Sequence, residues 1–261
     1  MDYREQQEAS VSVNIRFWTD GREQSDRVRN AKYCWEQLKN LKDYLQKSHK
    51  MNISINLFDF SEEKQIDDAI HIAFPTKDYK LAEKTNHIIQ HNIKTKTDVI
   101  MVMDGDLFFS PEDYHFIHPL LTSVRHGDII TFDALNVKFE NLKEYIKDGH
   151  VCRSMVKNKK YFYTPFPDKG PLAGCGGGLG GTFMLHTKLI HSIGGFNNEY
   201  TAWGGEDGDA LNRLWGLRFK QRIALRSQRD FCPLHIDHFR DFKNTNYKNK
   251  KNPHLQGKGK G

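Results

Sequence analysis

Residues 180–209 read GGTFMLHTKLIHSIGGFNNEYTAWGGEDGD: a glycine pair, a short apolar segment, then a loop dense in glycine and carboxylate. Gly204 and Gly205 permit a close approach of backbone to a ligand, or a positive φ. Trp203 sets a flat apolar face beside them. Glu206, Asp207 and Asp209 put three acids into four positions, at the start of a predicted helix, ALNRLWGL. Acids suit a helix N-terminus, whose unpaired amides and dipole favour negative charge. For Asp209 alone that explanation suffices. It does not account for a tryptophan and two glycines directly before the acids, whereas a loop that holds a sugar and accepts a proton accounts for all of them.

The chain before this segment alternates strand and helix signals. VSVNIRFW (11–18) reads as a strand. Val28, Ala31, Cys34, Trp35, Leu38, Leu41 and Leu45 recur at helical spacing between Asp26 and His49. ISINLFDF (53–60) is a second strand carrying Asp59, and Tyr79–Ile93 a second helix. DVIMVM (98–103) is a short continuous apolar run, as expected of a strand buried on both faces. It runs into DGD at 104–106. Pro111 begins a helix, and GDIITFDAL (127–135) supplies a further strand. Such alternation predicts an α/β fold with a mostly parallel central sheet flanked by helices. Ligands of such sheets bind beyond the carboxyl ends of the strands, which is where DGD falls. After the glycine-rich run GCGGGLGG (174–181) and the 180–209 segment come a strand signal, RIALRS, then HIDHFRD (235–241) and a basic tail. The glycine run is not a dinucleotide fingerprint, because it lacks the strand–GxGxxG–helix context.

At 261 residues the chain is long enough for one large α/β domain with a buried core. Twelve per cent aromatic residues exclude a disordered composition. A net charge of +6 and a pI near 9.0 suit a phosphate-bearing or otherwise anionic ligand without singling out nucleic acid. Cys34, Cys152, Cys175 and Cys232 form no CxxC pair, which argues against a zinc knuckle and for reduced thiols. No apolar run reaches the ~18 residues of a membrane span, and the polar lead MDYREQQEAS is not read as a secretory signal.

Two further constellations carry chemistry. Asp104 and Asp106, two apart at a sheet mouth, can hold a divalent cation through oxygen; a solvated Asp-Gly turn is the plainer alternative. His235 and His238, three apart in a turn or helical coil, can aim both imidazoles the same way. With thirteen histidines in the chain, either alone is more simply a surface residue. Imidazole with carboxylate fits Mn, Fe, Co or Zn better than Mg or Ca. Together with the WGGED loop the two pairs supply metal ligands, a ligand cradle and a base.

On these residues the chain resembles the β-1,4-galactosyltransferases and their N-acetylgalactosaminyltransferase relatives, within the GT-A class of nucleotide-sugar glycosyltransferases. LGGTFMLHTKLIHSIGGFNNEYTAWGGED (179–207) is similar to their signature region, DGD to their DxD motif and HIDHFRD to their late histidine motif. The resemblance implies residues 1–241 as one GT-A domain, with 1–135 the nucleotide-binding half and 136–241 the acceptor-binding half. Residues 242–261 are a basic tail or closing loop. It implies a UDP-sugar donor, Mn2+ (with Mg2+ the alternative) and inversion at the anomeric carbon.

By motif, Asp106, His235 and His238 are the metal ligands and Asp207 the catalytic base. Asp104, Asp59, Gly178, Gly181, Trp203, Gly205 and Arg240 face the donor. Trp203, Gly204, Glu206 and Asp209 face the acceptor. Arg240 and lysines such as Lys243 are expected to close over the diphosphate. Two positions depart from the pattern. Gly208 stands where the animal enzymes carry another acid, so an acceptor contact is missing. Gly178 stands where many galactosyl enzymes carry tyrosine, leaving room for an N-acetyl group, so UDP-GalNAc fits as well as UDP-galactose.

Other classes remain open on the residues alone: a retaining GT-A hexosaminyltransferase, or a non-catalytic carbohydrate-binding protein on the same scaffold. The expected partners are a UDP-sugar and a glycan or glycolipid acceptor, with no nucleic acid. The expected place is the cytoplasm, with peripheral membrane contact through the tail.

Overall fold

The computed structural model describes residues 9–19, 24–75, 80–132, 134–137, 139, 142, 146–147, 150–151, 181–201, 205–217, 225–228 and 233–236. The first half runs β1 (Val11–Phe17), α1 (Gln24–His49), β2 (Ile53–Asp59), β3 (Ile70–His71), α2 (Leu81–Lys94), β4 (Val99–Asp104) and β5 (Leu107–Phe108). A single 3-10 turn at Pro111–Asp113 leads into α3 (Tyr114–Arg125), followed by β6 (Ile129–Phe132), β7 (Leu135–Val137), β8 (Ile146–Lys147) and β9 (His150–Val151). The second half carries β10 (Thr182–His186), α4 (Thr187–Ser192), α5 (Glu206–Gly216), β11 (Leu225–Gln228) and β12 (Leu234–Ile236).

Seven strands form one sheet in the order β11-β6-β10-β4-β1-β2-β3. β1 pairs in parallel with β2 and β4, β2 with β3, and β6 with β11; β10 alone runs antiparallel, between β4 and β6. The sheet is mostly parallel, as the alternation predicts. The chain leaves β1 for β2 on one side and returns to β4 on the other. The crevice beyond the ends of β1 and β4 is therefore the point where strand order reverses, the position at which open α/β sheets bind ligands.

Both faces of the sheet are covered. Val99, Met101 and Met103 of β4 pack with Ala31, Leu38, Leu41 and Leu45 of α1 and Ile117, Leu121 and Val124 of α3. Ile100 and Val102 pack on the opposite face with Ala82, Ile88 and Ile89 of α2, Ile190 of α4 and Leu211 and Leu214 of α5. The alternation of Cβ directions along a strand produces this division, and burial on both sides explains why DVIMVM reads as unbroken apolar sequence. No helix among the described residues is long and apolar enough to cross a membrane.

β1 departs from this pattern. Its odd residues, Val11, Val13, Ile15 and Phe17, enter the α1 core. Its even residues, Ser12, Asn14 and Arg16, are equally buried yet polar. Asn14 Oδ1 accepts from Ser12 Oγ at 3.2 Å, Asn56 Nδ2 at 3.2 Å and Asn92 Nδ2 at 3.1 Å, and Asn14 Nδ2 donates to the carbonyls of Ser12 and Met101. A buried polar face is tolerated because its donors and acceptors meet each other.

Two sequence readings need correction. GDIITFDAL is not one strand: Ile129–Phe132 joins the main sheet, while Leu135–Val137 joins a three-stranded sheet with β12 and β5. The last helix begins at Glu206 rather than Ala210, so the acids form its first turn.

Candidate active site

β4 delivers Asp104 to the sheet mouth and the chain turns at once through Gly105 and Asp106. The turn lies hard against β1: a Cβ at Gly105 would stand 3.1 Å from Phe17 Cβ and 3.3 Å from the Arg16 carbonyl. A side chain there would push the turn outward, so glycine is what lets Asp104 and Asp106 sit this close to the sheet. The Asp104 amide donates to the Gly181 carbonyl at 2.9 Å, which brings the end of the glycine run beside DGD.

His235 reaches the same turn from far along the chain. β12 pairs antiparallel with β5, with His235 opposite Leu107. The Ile236 amide donates to the Asp106 carbonyl at 2.8 Å. This fixes His235 Nε2 3.4 Å from Asp106 Oδ2, with 6% and 15% of the two side chains exposed. His235 thus stands on a strand, not in the turn or helical coil expected from its spacing. Carboxylate oxygen and imidazole nitrogen suit Mn2+ and similar borderline ions. At this separation both atoms can bond one ion at the ~2.1 Å usual for such ligands. Among the described residues no three His, Cys, Asp or Glu side chains group to hold a metal; His238 lies outside them.

Behind Asp106 lies Cys34 of α1, fully buried with Phe108, Val137, Leu142, Leu234 and Ile236. Burial pushes its thiol well above the ordinary value, and the negative charge of Asp106 pushes it further. Cys34 is a buried free thiol, and both effects favour its protonated form. Cys152, Cys175 and Cys232 lie outside the described residues.

One residue that sequence reading passed over, Arg16, completes the floor beside Asp59. Arg16, opposite Asp104 in the parallel ladder, donates from Nε to Asp104 Oδ1 at 2.5 Å and from Nη1 to Thr85 Oγ1 at 2.8 Å. An arginine placed among buried strand residues is the signal that could have found it, because unpaired burial of a guanidinium is prohibitive. Asp59 ends β2 fully buried, its carboxylate accepting from the amides of Ser61 at 3.0 Å and Gln65 at 2.6 Å. In this structure it shapes the loop after β2.

The second group gathers at the start of α5. Gly205 has φ 96° and caps the helix; Glu206 is buried, while Asp207 and Asp209 are half-buried. The Gly208 amide donates to Asp207 Oδ1 at 2.9 Å. Asp209 takes Arg213 Nε at 2.9 Å and Nη2 at 2.8 Å, the helix-pair role that its position alone explains. Tyr200, also missed, is buried beside these acids. Burial raises its phenol above the ordinary value, and Asp209, Glu206 and Asp207 raise it further, against a lowering by Arg213. Gly178, Trp203, Gly204, Arg240 and Lys243 lie outside the described residues.

A family model described as the N-terminal domain of galactosyltransferase matches residues 169–236, the span that holds the signature segment and His235. In structure the chain is similar to a mutant of Drosophila β1,4-galactosyltransferase 7 in complex with manganese, UDP-Gal and xylobiose. The identity there is 13%, the match covers 95% of this chain and 78% of that one, and the TM-score is 0.53. It is also similar to GalNAc-T7 with UDP, GalNAc and Mn2+, at 14% identity over 90% of this chain and 45% of that one, with a TM-score of 0.51. The fold is that of the GT-A glycosyltransferases. No curated protein sequence matches the chain. The family match covers the 179–207 segment and His235, while DGD at 104–106 lies outside it.

Proposed function

We propose that the chain is a metal-dependent inverting glycosyltransferase that moves galactose or N-acetylgalactosamine from a UDP-sugar to a hydroxyl of a glycan acceptor. The observation that carries the reading is His235 Nε2 held 3.4 Å from Asp106 Oδ2 on the DGD turn, at the switch point of a GT-A sheet. The titles of the similar structures, naming manganese with UDP-Gal and Mn2+ with UDP and GalNAc, support the donor class.

Asp106 and His235, with His238, would hold Mn2+. A divalent ion there supplies charge to offset the negative charge that develops on the departing UDP. Asp104 would take a donor hydroxyl. An acceptor hydroxyl is a poor nucleophile at neutral pH, so it needs a base as it attacks. Asp207, at the open end of α5, takes that proton. Glu206 orients the acceptor sugar. Attack from the face opposite the leaving diphosphate gives inversion. Trp203 with Gly204–Gly205, and the basic tail with Arg240 and Lys243, exclude the water that would otherwise hydrolyse the donor. A glycan or glycolipid acceptor in a cytoplasmic setting, with the tail on an anionic surface, completes the proposal.

A UDP-sugar panel with Mn2+, scored by UDP release, tests the donor class without knowledge of the acceptor. Release from UDP-galactose or UDP-GalNAc that chelation abolishes is the expected result. Silence across the panel with intact, folded protein overturns it. Once an acceptor is found, the anomeric proton of the product, read by NMR, reports inversion or retention.

A further inference from the structure

α4 ends at Ser192, and the carbonyl of its cap residue, Ile193, is among those a helix end leaves without an internal partner. Arg213 of α5 supplies one, donating from Nη1 to that carbonyl at 2.6 Å. The same guanidinium holds Asp209 Oδ2 with Nε at 2.9 Å and Nη2 at 2.8 Å. The Ile193 bond goes beyond an ion pair within one helix. Asp209 sits in the first turn of α5, two residues after Asp207, and its amide donates to the Gly205 carbonyl at 2.9 Å. One side chain therefore ties the end of α4 to the turn that carries Asp207. The chain leaving that tie is fastened in turn to α2, where Asn86 bonds both the amide and the carbonyl of Phe196 at 2.8 Å.

We propose that Arg213 is a positioning residue for Asp207, fixing where the first turn of α5 presents that carboxylate; the proposal deepens the reading of Asp207 as the base and rests on it. Ala210, Leu211 and Leu214 bury the inner face of α5. Apolar burial holds the helix against the sheet but has no direction of its own. A charged fork that spreads three nitrogens over two acceptors does have one. It sets the first turn against a fixed point, the end of α4. A lysine ammonium is a point donor on a flexible stem and lacks the fork that spans both acceptors.

The test is UDP release from the donor that the Mn2+ panel selects, run without a glycan. Water then attacks the anomeric carbon and gives its proton to Asp207 while UDP leaves. Rates are taken per folded protein, well below the melting midpoint. Arg213→Met should lower kcat about 10- to 100-fold, the effect of a misplaced catalytic group. Mn2+-dependent UDP affinity, by calorimetry, should stay within about twofold of wild type, because the bonds of Arg213 run to Asp209 and Ile193 rather than to the DGD turn. In an Asp207→Asn background, already slow, Arg213→Met should lower kcat by less than about twofold more, since no base is left to misplace. Arg213→Lys should show the same pattern with a smaller loss, and it stands in if the methionine variant fails to fold. A loss of equal size with and without the Asp207 carboxylate is what a merely structural arginine gives, and it overturns the proposal. So does wild-type kcat in both Arg213 variants. Release that Asp207→Asn does not slow overturns the base reading and the proposal with it, an outcome distinct from failure at Arg213 alone.

Discussion

Gly194 and Gly195 share nearly one backbone conformation, φ 75° and 78°, yet the structure assigns them different costs on substitution. A Cβ at Gly194 meets nothing within 4 Å, whereas one at Gly195 would stand 2.5 Å from Asn86 Oδ1. Asn86 of α2 is not free to retreat. Its Oδ1 accepts from the Phe196 amide at 2.8 Å, and its Nδ2 donates to the Phe196 carbonyl at 2.8 Å and to Asn198 Oδ1 at 2.7 Å. Gly194→Ala therefore carries only left-handed strain, about 1–2 kcal/mol. Gly195→Ala carries the same strain and also displaces the amide that holds Phe196. Two such bonds contribute about 1 kcal/mol each, so the difference between the variants is about 2 kcal/mol. For a chain of this size that separates their melting midpoints by about 4–8 °C. Thermal unfolding followed by circular dichroism measures it. In an Asn86→Ala background the extra penalty at Gly195 should vanish, leaving the two alanine variants equal. Equal midpoints in the wild-type background would refute the reasoning.

Asp207→Asn should lower transfer about 10²–10⁴-fold, the usual share of a general base, while Mn2+-dependent UDP binding, followed by calorimetry, stays intact. His235→Ala removes one side of the proposed metal site, so Mn2+ affinity measured in the presence of UDP should fall about 10-fold or more, and excess Mn2+ should restore part of the UDP release. His118 stacks on His49 with ring centroids 4.0 Å apart, and burial, then His49 and Arg125, hold its imidazole below the ordinary value. The unfolded chain therefore binds the proton more readily, and stability should decline as pH falls through the ordinary histidine value. His118→Asn should flatten that decline in urea midpoints taken between about pH 7 and 5.

The apolar half of the fold was legible because its period is simple. DVIMVM can only be a strand with both faces covered, and Ala31, Cys34, Leu38, Leu41 and Leu45 all fall on the buried stripe of α1. Residues picked from separate short motifs also lie together: DGD, His235 and Gly181 meet at one turn. Arg16, Tyr200 and the Asn14 cluster were not legible. Arg16 and Asn14 are buried beside partners that distant elements supply, Asp104 for Arg16 and Asn92 for Asn14, and Tyr200 is buried near the acids of α5. Pairings of that kind have no local period. The break between β6 and β7 was missed for a related reason, since a continuous β-rich string does not say which sheet each end joins.

The same reasoning explains how a fold can match structures at 13% and 14% identity. The mouth of the site is made first by backbone. The Asp104 amide bonds to Gly181, the Ile236 amide bonds to Asp106, and Gly105 closes on β1. None of these contacts specifies a side chain except by excluding one at Gly105. They set the positions from which Asp104, Asp106 and His235 project. Core residues behind them need only fill volume on the correct face, which many apolar sequences do. The polar face of β1 is different, because Arg16 must meet a charge, and Asn14 three donors, with specific geometry. Substitutions that change volume at Val13 or Ile15 should therefore act on stability, whereas those at Arg16 should also alter what the site binds.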